Sequence, residues 1–325
     1  MRVRAIQIEN VGGPEVMKLV ELPLGEPGPG DVVVRHHACG VNFIDIYHRT
    51  GLYKVPLPAV LGEEGAGVVE AVGANVAHLA VGDRVAYTTG TPGSYSEARV
   101  VAAPTVVKLP DSISFETAAA MMLKGLTAQY LLRRVRHALV PGDFLVWHAA
   151  AGGVGLIACQ WARALGYRVI ATAGSREKCE LALANGAAAA IDYRTEDVVQ
   201  RVREIAGGKV KAVFDSVGKD TWERSLDCLQ PFGLVVSFGN ASGPVPPVAL
   251  GQLAQKGSLY VTRPSLPTFT SSYAATQEMA DDLFAVVNDG SVKIMVERRY
   301  PLADAARAHA DLEARTTTGS GVLIP

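Results

Sequence analysis

Apolar residues in the first 109 positions fall in short Val-rich runs: VVVRHHACGV (32–41), AGVVEAVG (66–73), DRVAY (83–87) and ARVVAAPTVVKL (98–109). Gly/Pro punctuation such as GEPGPGD (25–31) and TTGTPGS (88–94) separates them. β-Branched runs of this length between turn signals predict strands, and many short strands in series predict a barrel or sandwich. At Ser114 the texture changes. Ser114 is placed to cap a helix with Glu116 in its first turn, and FETAAAMMLKGLTAQYLLRRV continues in strong helix formers. From Phe144 the pattern alternates. FLVWHA, RVIATA, AAAIDY, VKAVFDSVG, GLVVSFG and SLYVTRP read as buried strands. GGVGLIACQWARALG, REKCELALANG, EDVVQRVREIAGG and the stretch 219–229 read as the helices among them. That order predicts an α/β fold with a doubly wound parallel sheet. After Pro264 and Pro267 the tail reads as a helix (TQEMADDLFAVVNDG), a short strand and another helix (ADAARAHADLEAR).

Composition narrows the function classes. A chain of 325 residues with 49% hydrophobic content favours two domains. Lys plus Arg is 31 and Asp plus Glu is 32, a net charge of −1, so no overall field draws nucleic acid or anionic membrane. The basic cluster at 133–137 reads as a short helix face. Cys39, Cys159, Cys179 and Cys228 are scattered with no C-x-x-C pair, which argues against a disulfide framework or structural zinc and for a reducing compartment. No signal-peptide h-region and no bilayer-length apolar run is present, so the expected location is the cytoplasm.

The chemistry-bearing loop is Ala150-Ala151-Gly152-Gly153-Val154-Gly155, between a strand and a helix. It fits the dinucleotide fingerprint G-x-G-x-x-G except that Ala150 replaces the first glycine. Gly152 lets backbone approach a pyrophosphate, Gly155 lets helix and strand pack closely, and the helix N-terminus offers N–H groups and positive potential. At the end of the second strand an NAD-binding chain usually carries an acid for the ribose 2′-OH. This chain reads Gly174-Ser175-Arg176-Glu177-Lys178 there. Gly174 removes the carboxylate, and Ser175, Arg176 and Lys178 offer donors to a 2′-phosphate, so NADPH is the expected cofactor.

AAAGGVGLIACQWARALG, DTWERSLDCLQ, VSFGN, GSLYVTRPSL, VNFIDIY (41–47) and the ending GVLIP resemble the bacterial NADPH:quinone oxidoreductases. These are zeta-crystallin relatives in the medium-chain dehydrogenase/reductase superfamily. The resemblance spans essentially the whole chain. It implies a GroES-like β-barrel catalytic domain formed by 1–124 and 267–325, and a Rossmann NADPH-binding domain at 125–266. It further implies a homodimer, with NADPH in the interdomain cleft. By resemblance Asn42, Asp45, Tyr47 and Tyr53 floor that cleft and are the catalytic candidates, Asn42 and Tyr47 also touching cofactor. Thr127 falls near the nicotinamide, Tyr193 beside the 2′-phosphate, Phe238-Gly239-Asn240 along the nicotinamide ribose, and Arg315, in the last helix, near the phosphates. Asp45 reads equally as a carboxylate capping its local turn, and Arg315 as a solvated helix-end charge.

Zinc-dependent members of that superfamily carry a Cys ligand in A-x-G-V-C-x-x-D and a His in G-H-E-x-x-G. Here those positions hold Asn42 and Glu63, and the four-cysteine lobe is missing. A catalytic zinc needs three protein ligands and an open position, so no metal is expected. His36 and His37, adjacent on a strand, point to opposite faces. Glu63 and Glu64 read as structural, and Met121-Met122 as core filling. The activity that follows is transfer of reducing equivalents from NADPH to a quinone without metal or flavin. The competing readings are reduction of an enal or enone double bond in the same zinc-free cleft, and NADPH-modulated RNA binding or a crystallin-type role.

Overall fold

An eleven-residue strand, Asp31–Val41, organises the β-rich half of the protein. The computed structural model describes residues 1–135 and 139–325. The described chain divides into two compact units, 1–126 with 269–288 and 294–325, and 127–268 with 289–293.

In the first unit Asp31–Val41 pairs antiparallel with Glu64–Val72, with Ala98–Ala102 and with the C-terminal strand Ser320–Ile324. Gly321 lies opposite Val41 and Leu323 opposite Cys39, so the two ends of the chain close one sheet. That sheet has seven strands, completed by Val296–Pro301, Arg84–Thr88 and Val106–Lys108. A three-stranded sheet of Arg2–Ile8, Lys18–Pro23 and Ala59–Val60 accompanies it. Ile6, Ile8, Cys39, Val41, Leu61 and Tyr95 pack with Tyr300, Leu302 and Leu323 in one core cluster, so N- and C-terminal segments share a core.

The second unit is a six-stranded sheet in which every pairing is parallel. Its order is Ala189–Asp192, Arg168–Ala173, Phe144–Trp147, Val210–Asp215, Leu229–Ser237 and Tyr260–Thr262. The order reverses direction at Phe144–Trp147, the switch point where doubly wound sheets bind ligands beyond the strand C-termini. Val146, Ile170, Ile191, Val213 and Val235 are fully buried, as a sheet covered on both faces requires.

Several elements differ from the sequence pattern. The run 98–109 is two strands, because Pro104, which has no N–H for a ladder, sits in a 3-10 turn at Ala103–Thr105. The segment 43–50 is a helix, Phe43–Thr50, despite two isoleucines and two aromatic rings. Its local signal is weak, but the Asp45 carboxylate accepts the Asn42 N–H (2.9 Å) and Gly51 ends it at φ 80°. Strands Arg2–Ile8 and Lys18–Pro23 and the helix Leu250–Gln255 carried no distinct sequence signal. The 219–229 helix is six residues, Trp222–Asp227. Arg315 is not in the last helix: that helix is Ala305–Glu313, and Arg315 follows it at φ 56°, just where a helix exits into the left-handed region. Of the basic cluster at 133–137, Arg136 and His137 lie outside the described residues.

Candidate functional site

In the second unit Phe144–Trp147 leads through a tight loop into the helix Gly153–Ala164. Ala149 takes the positive φ of 53° in that loop, and Gly152 N–H closes the turn on the Ala149 carbonyl at 3.0 Å. The turn therefore forms without a glycine at 150. A Cβ on Gly155 would lie 2.5 Å from the Ala150 carbonyl oxygen, so only glycine lets the helix sit this close to the strand. A Cβ on Gly152 would meet only the Ala149 oxygen, at 3.3 Å, and the space beyond is open. The first-turn amides of Gly153, Val154 and Gly155 lie beyond the reach of any intrahelical carbonyl. Open room over Gly152 and unspent donors in the first turn fit a pyrophosphate.

At the end of Arg168–Ala173, Ser175 caps the helix Arg176–Ala184, its hydroxyl accepting the Lys178 N–H at 3.3 Å. Tyr193, the residue after Ala189–Asp192, reaches back so that its hydroxyl would lie 2.4 Å from a Cβ on Gly174. The Tyr193 hydroxyl thus occupies the space that a side chain at 174 would enter. Arg176 is 87% exposed and pairs with Glu180 at 2.9 Å, so solvent screens it, whereas Lys178 is half-buried. The Phe238 N–H bonds the Asp215 carbonyl at 2.8 Å, which ties Phe238-Gly239-Asn240 to the C-terminal end of the adjacent strand. Arg263 donates to the Ser237 hydroxyl (3.2 Å) and the Gly239 carbonyl (3.0 Å). Thr127 is buried and hydrogen-bonded to Tyr130, whose hydroxyl burial pushes up to about 12.

Polar groups buried beside these loops have a structural use. The Asp215 carboxylate accepts the Val217 and Gly218 N–H groups and the hydroxyls of Thr221 and Ser225. His148 bridges Ser225 (3.0 Å) and Thr172 (2.8 Å) and is held neutral by burial. Ser225 is completely buried, so this His–Ser–Asp cluster fixes strand ends and offers no nucleophile.

In the first unit, the helix Phe43–Thr50 carries two of the four predicted first-unit groups, Asp45 and Tyr47, with Asn42 as its N-cap. Tyr47 and Tyr53 meet edge to face, ring centroids 5.1 Å apart, and the Tyr53 N–H bonds the Tyr47 carbonyl. Asn42 Nδ2 donates to Glu64 Oε1 at 2.7 Å. Lys124 Nζ donates to the same oxygen (3.3 Å) and to the Val41 carbonyl (3.1 Å), and the Leu123 N–H donates to Glu64 Oε2 (2.6 Å). Asp45 is fully buried and accepts the Tyr95 hydroxyl at 2.8 Å. Burial, with repulsion from Glu64, pushes its carboxyl up to about 7. Glu63 faces His48 at 3.5 Å, and burial with the Asp45 and Glu64 charges pushes it up to about 8. The adjacent glutamates therefore serve different neighbours. His36 is buried and held down to about 4, while His37 is exposed; Met121 and Met122 are wholly buried.

At the positions where zinc-dependent chains carry ligands, Asn42 Nδ2 donates to Glu64, and Glu63 Oε1 lies 3.5 Å from His48 Nε2 without a hydrogen bond. Among the described residues no three His, Cys, Asp or Glu side chains converge as a ligand set. His309 Nε2 lies 3.1 Å from the Tyr95 hydroxyl and Arg49 donates to His309 Nδ1 at 3.2 Å, and these residues, like Lys124 and Tyr95, entered the cluster without a sequence-level assignment. For Lys124 a signal existed, a single charge inside the apolar helix AAAMMLKGLTAQYL. For Tyr95 and His309 none did, since their roles arise from contacts between segments over two hundred residues apart.

Two family models match the chain, alcohol dehydrogenase GroES-like domain over residues 28–111 and zinc-binding dehydrogenase over 153–281. The quinone oxidoreductase of Pseudomonas aeruginosa is 56% identical over 99% of each chain. The crystal structure of Escherichia coli quinone oxidoreductase complexed with NADPH is 51% identical, with a TM-score of 0.97 over 99% of this chain and all of that one. A 2-haloacrylate reductase of a Burkholderia species is 43% identical over 99% of each chain. No helix among the described residues is long and apolar enough to cross a membrane.

Proposed function

The chain belongs to the quinone oxidoreductases of the medium-chain dehydrogenase/reductase superfamily, and from that membership we propose that it is an NADPH-dependent quinone reductase. The observation that carries the coenzyme half of this reading is Gly174 under Tyr193, beside Ser175 and Lys178. The Gly152–Gly155 loop holds the pyrophosphate, Ser175, Arg176, Lys178 and Tyr193 surround the 2′-phosphate, and Thr127 with Phe238-Gly239-Asn240 borders the nicotinamide. Arg315 adds a phosphate contact from its place after the last helix. When bound, the nicotinamide supplies the hydride. The domain carrying Asn42, Asp45, Tyr47 and Tyr53, 1–124 with 267–325, is the catalytic one, and 125–266 the cofactor one.

A quinone is an electrophile that needs no Lewis acid, so the chain's task is to orient a flat ring and stabilise the developing oxyanion. Tyr47 and Tyr53 supply aromatic faces and hydroxyls, and Asn42, held through Nδ2 by Glu64, supplies a fixed amide. Steady-state NADPH oxidation against quinones, alkenals, haloacrylates and alcohols is expected to favour quinones, with activity unchanged after EDTA. Loss with EDTA and recovery with zinc would overturn the zinc-free reading. The identity to a 2-haloacrylate reductase supports a second reading, reduction of an activated C=C bond; a kcat/KM higher for the alkenals or haloacrylates than for any quinone would select it.

Assembly as a homodimer is part of the same reading. Tyr260–Thr262 is the edge strand of the parallel sheet, with Tyr260 49% and Val261 41% exposed. Such an edge invites antiparallel pairing with a second copy about a two-fold axis. Light scattering at micromolar concentration is expected to give a dimer, and Val261→Lys a monomer. A monomeric parent would contradict it. Four free cysteines accord with a cytoplasmic location.

A further inference from the structure

The parallel ladder between Leu229–Ser237 and Tyr260–Thr262 ends at the pair Val236 and Thr262. Pro264, two residues on, has no N–H with which to extend it. The Arg263 side chain continues where the backbone stops. Its Nη1 donates to the Ser237 hydroxyl at 3.2 Å and to the Gly239 carbonyl at 3.0 Å. On the opposite flank the same segment is fastened to the end of Val210–Asp215. There the Phe238 N–H bonds the Asp215 carbonyl (2.8 Å), the Ala241 N–H that of Ser216 (3.2 Å) and the Ser242 N–H that of Val217 (2.8 Å). A Cβ on Gly239 would lie 2.4 Å from the Ser216 oxygen, so the segment is pressed against that flank. The peptide after Gly239 is trans, and its carbonyl and N–H point to opposite edges of one plane. A guanidinium that fixes the Gly239 carbonyl therefore fixes the direction of the Asn240 N–H.

We propose that Arg263 is a positioning residue for the nicotinamide half of the coenzyme: through the Gly239 carbonyl and the Ser237 hydroxyl it sets the wall Phe238-Gly239-Asn240. The inference rests on the NADPH-dependent reading, which places the nicotinamide ribose along that wall, and deepens it. The side chain suits the task. A guanidinium offers several donors in one rigid plane and keeps its charge at every working pH, so the wall is held the same way throughout. The Arg263 charge also reaches the Tyr130 hydroxyl, where it opposes the rise that burial imposes, and Tyr130 is bonded to Thr127. One cation thus faces both groups assigned to the nicotinamide, from the strand after which the sheet ends. Arg263 is itself exposed and fills no core, so removing it leaves no cavity. What its loss changes is the freedom of the wall: the bonds to Asp215, Ser216 and Val217 remain, and the flank facing Tyr260–Thr262 is released.

The test uses the full chain, with NADPH, NADH and adenosine 2′,5′-bisphosphate as probes; the bisphosphate carries the adenosine end of the coenzyme and no nicotinamide. In cofactor-free protein, hydrogen exchange at the Ala241 and Ser242 amides is expected to quicken in Arg263→Ala, with that of the helix Gly153–Ala164 unchanged. By calorimetry the variant should bind NADPH and NADH each about tenfold more weakly, the worth of one charge-assisted hydrogen bond. Both coenzymes lose alike because both carry the nicotinamide half. The bisphosphate should bind as it does to the parent. Arg263→Lys, which keeps a donor and loses the planar fork, is expected to fall between parent and Arg263→Ala. In turnover with 1,4-benzoquinone, kcat at saturating NADPH should drop as well, since the ring is less often in line with its acceptor. Unchanged affinity for NADPH and NADH in Arg263→Ala overturns the proposal. Equal weakening of the bisphosphate also overturns it, because that marks damage to the whole unit. A parent that binds no NADPH overturns instead the reading on which the proposal rests.

Discussion

Lys178→Ala is expected to raise KM for NADPH by about ten- to a hundredfold and to leave KM for NADH nearly unchanged. The 2′-phosphate is doubly charged and accepts charge-assisted hydrogen bonds worth roughly 1.5–3 kcal/mol each. At about 1.4 kcal/mol per decade, one such contact accounts for that loss. Lys178 is half-buried, so water screens it less than Arg176, which is 87% exposed and already shared with Glu180. Arg176→Ala should therefore cost several-fold less. The effect is specific to the phosphate because NADH lacks it, and Gly174 offers NADH no acid in exchange. kcat/KM for both coenzymes in parent and variant measures this. A parent that uses NADH and NADPH equally would show that the loop after Arg168–Ala173 does not select.

Glu64→Ala is expected to destabilise the first unit by about 3–5 kcal/mol, because it strands a buried cation. The Glu64 and Lys124 side chains are 0% and 8% exposed. Removing the carboxylate leaves Lys124 with the Val41 carbonyl and no countercharge, and it deprives Asn42 Nδ2 and the Leu123 N–H of their acceptor. At about 2–4 °C per kcal/mol for a domain of this size, the melting temperature should fall by roughly 10 °C. Glu64→Ala with Lys124→Met, which removes both charges, should recover much of the loss. A single variant as stable as the parent would show that the pair is not the counterion system described. Thermal unfolding followed by circular dichroism decides.

The nucleotide half was legible because its signals are local. A Gly-rich loop between a strand and a helix, and a glycine where an acid usually stands, each lie within a few residues of chain. Even there the structure adds what the sequence lacked: the Tyr193 hydroxyl occupies the space beside Gly174. The first-unit cluster was legible only in part. Asn42, Asp45, Tyr47 and Tyr53 entered through resemblance, while the helix that holds two of them and is capped by a third was hidden by its isoleucines and aromatics. Tyr95, His309 and Arg49 were invisible as a set, and Arg315 was placed in a helix that ends before it.

By itself the sequence determined the class of fold and the coenzyme chemistry, since hydrophobic period, turn residues and the glycine loop act through neighbours along the chain. Only the tertiary structure decided which carboxyls burial pushes toward the neutral form and which oxygen of Asp45 is left without a donor. Those outcomes depend on burial and on hydrogen-bond direction among residues far apart in sequence: Arg49 reaches His309, 260 positions away, and through it Tyr95 and Asp45. No local pattern encodes a desolvation cost or the direction of a donor, because both exist only once the segments have been brought together.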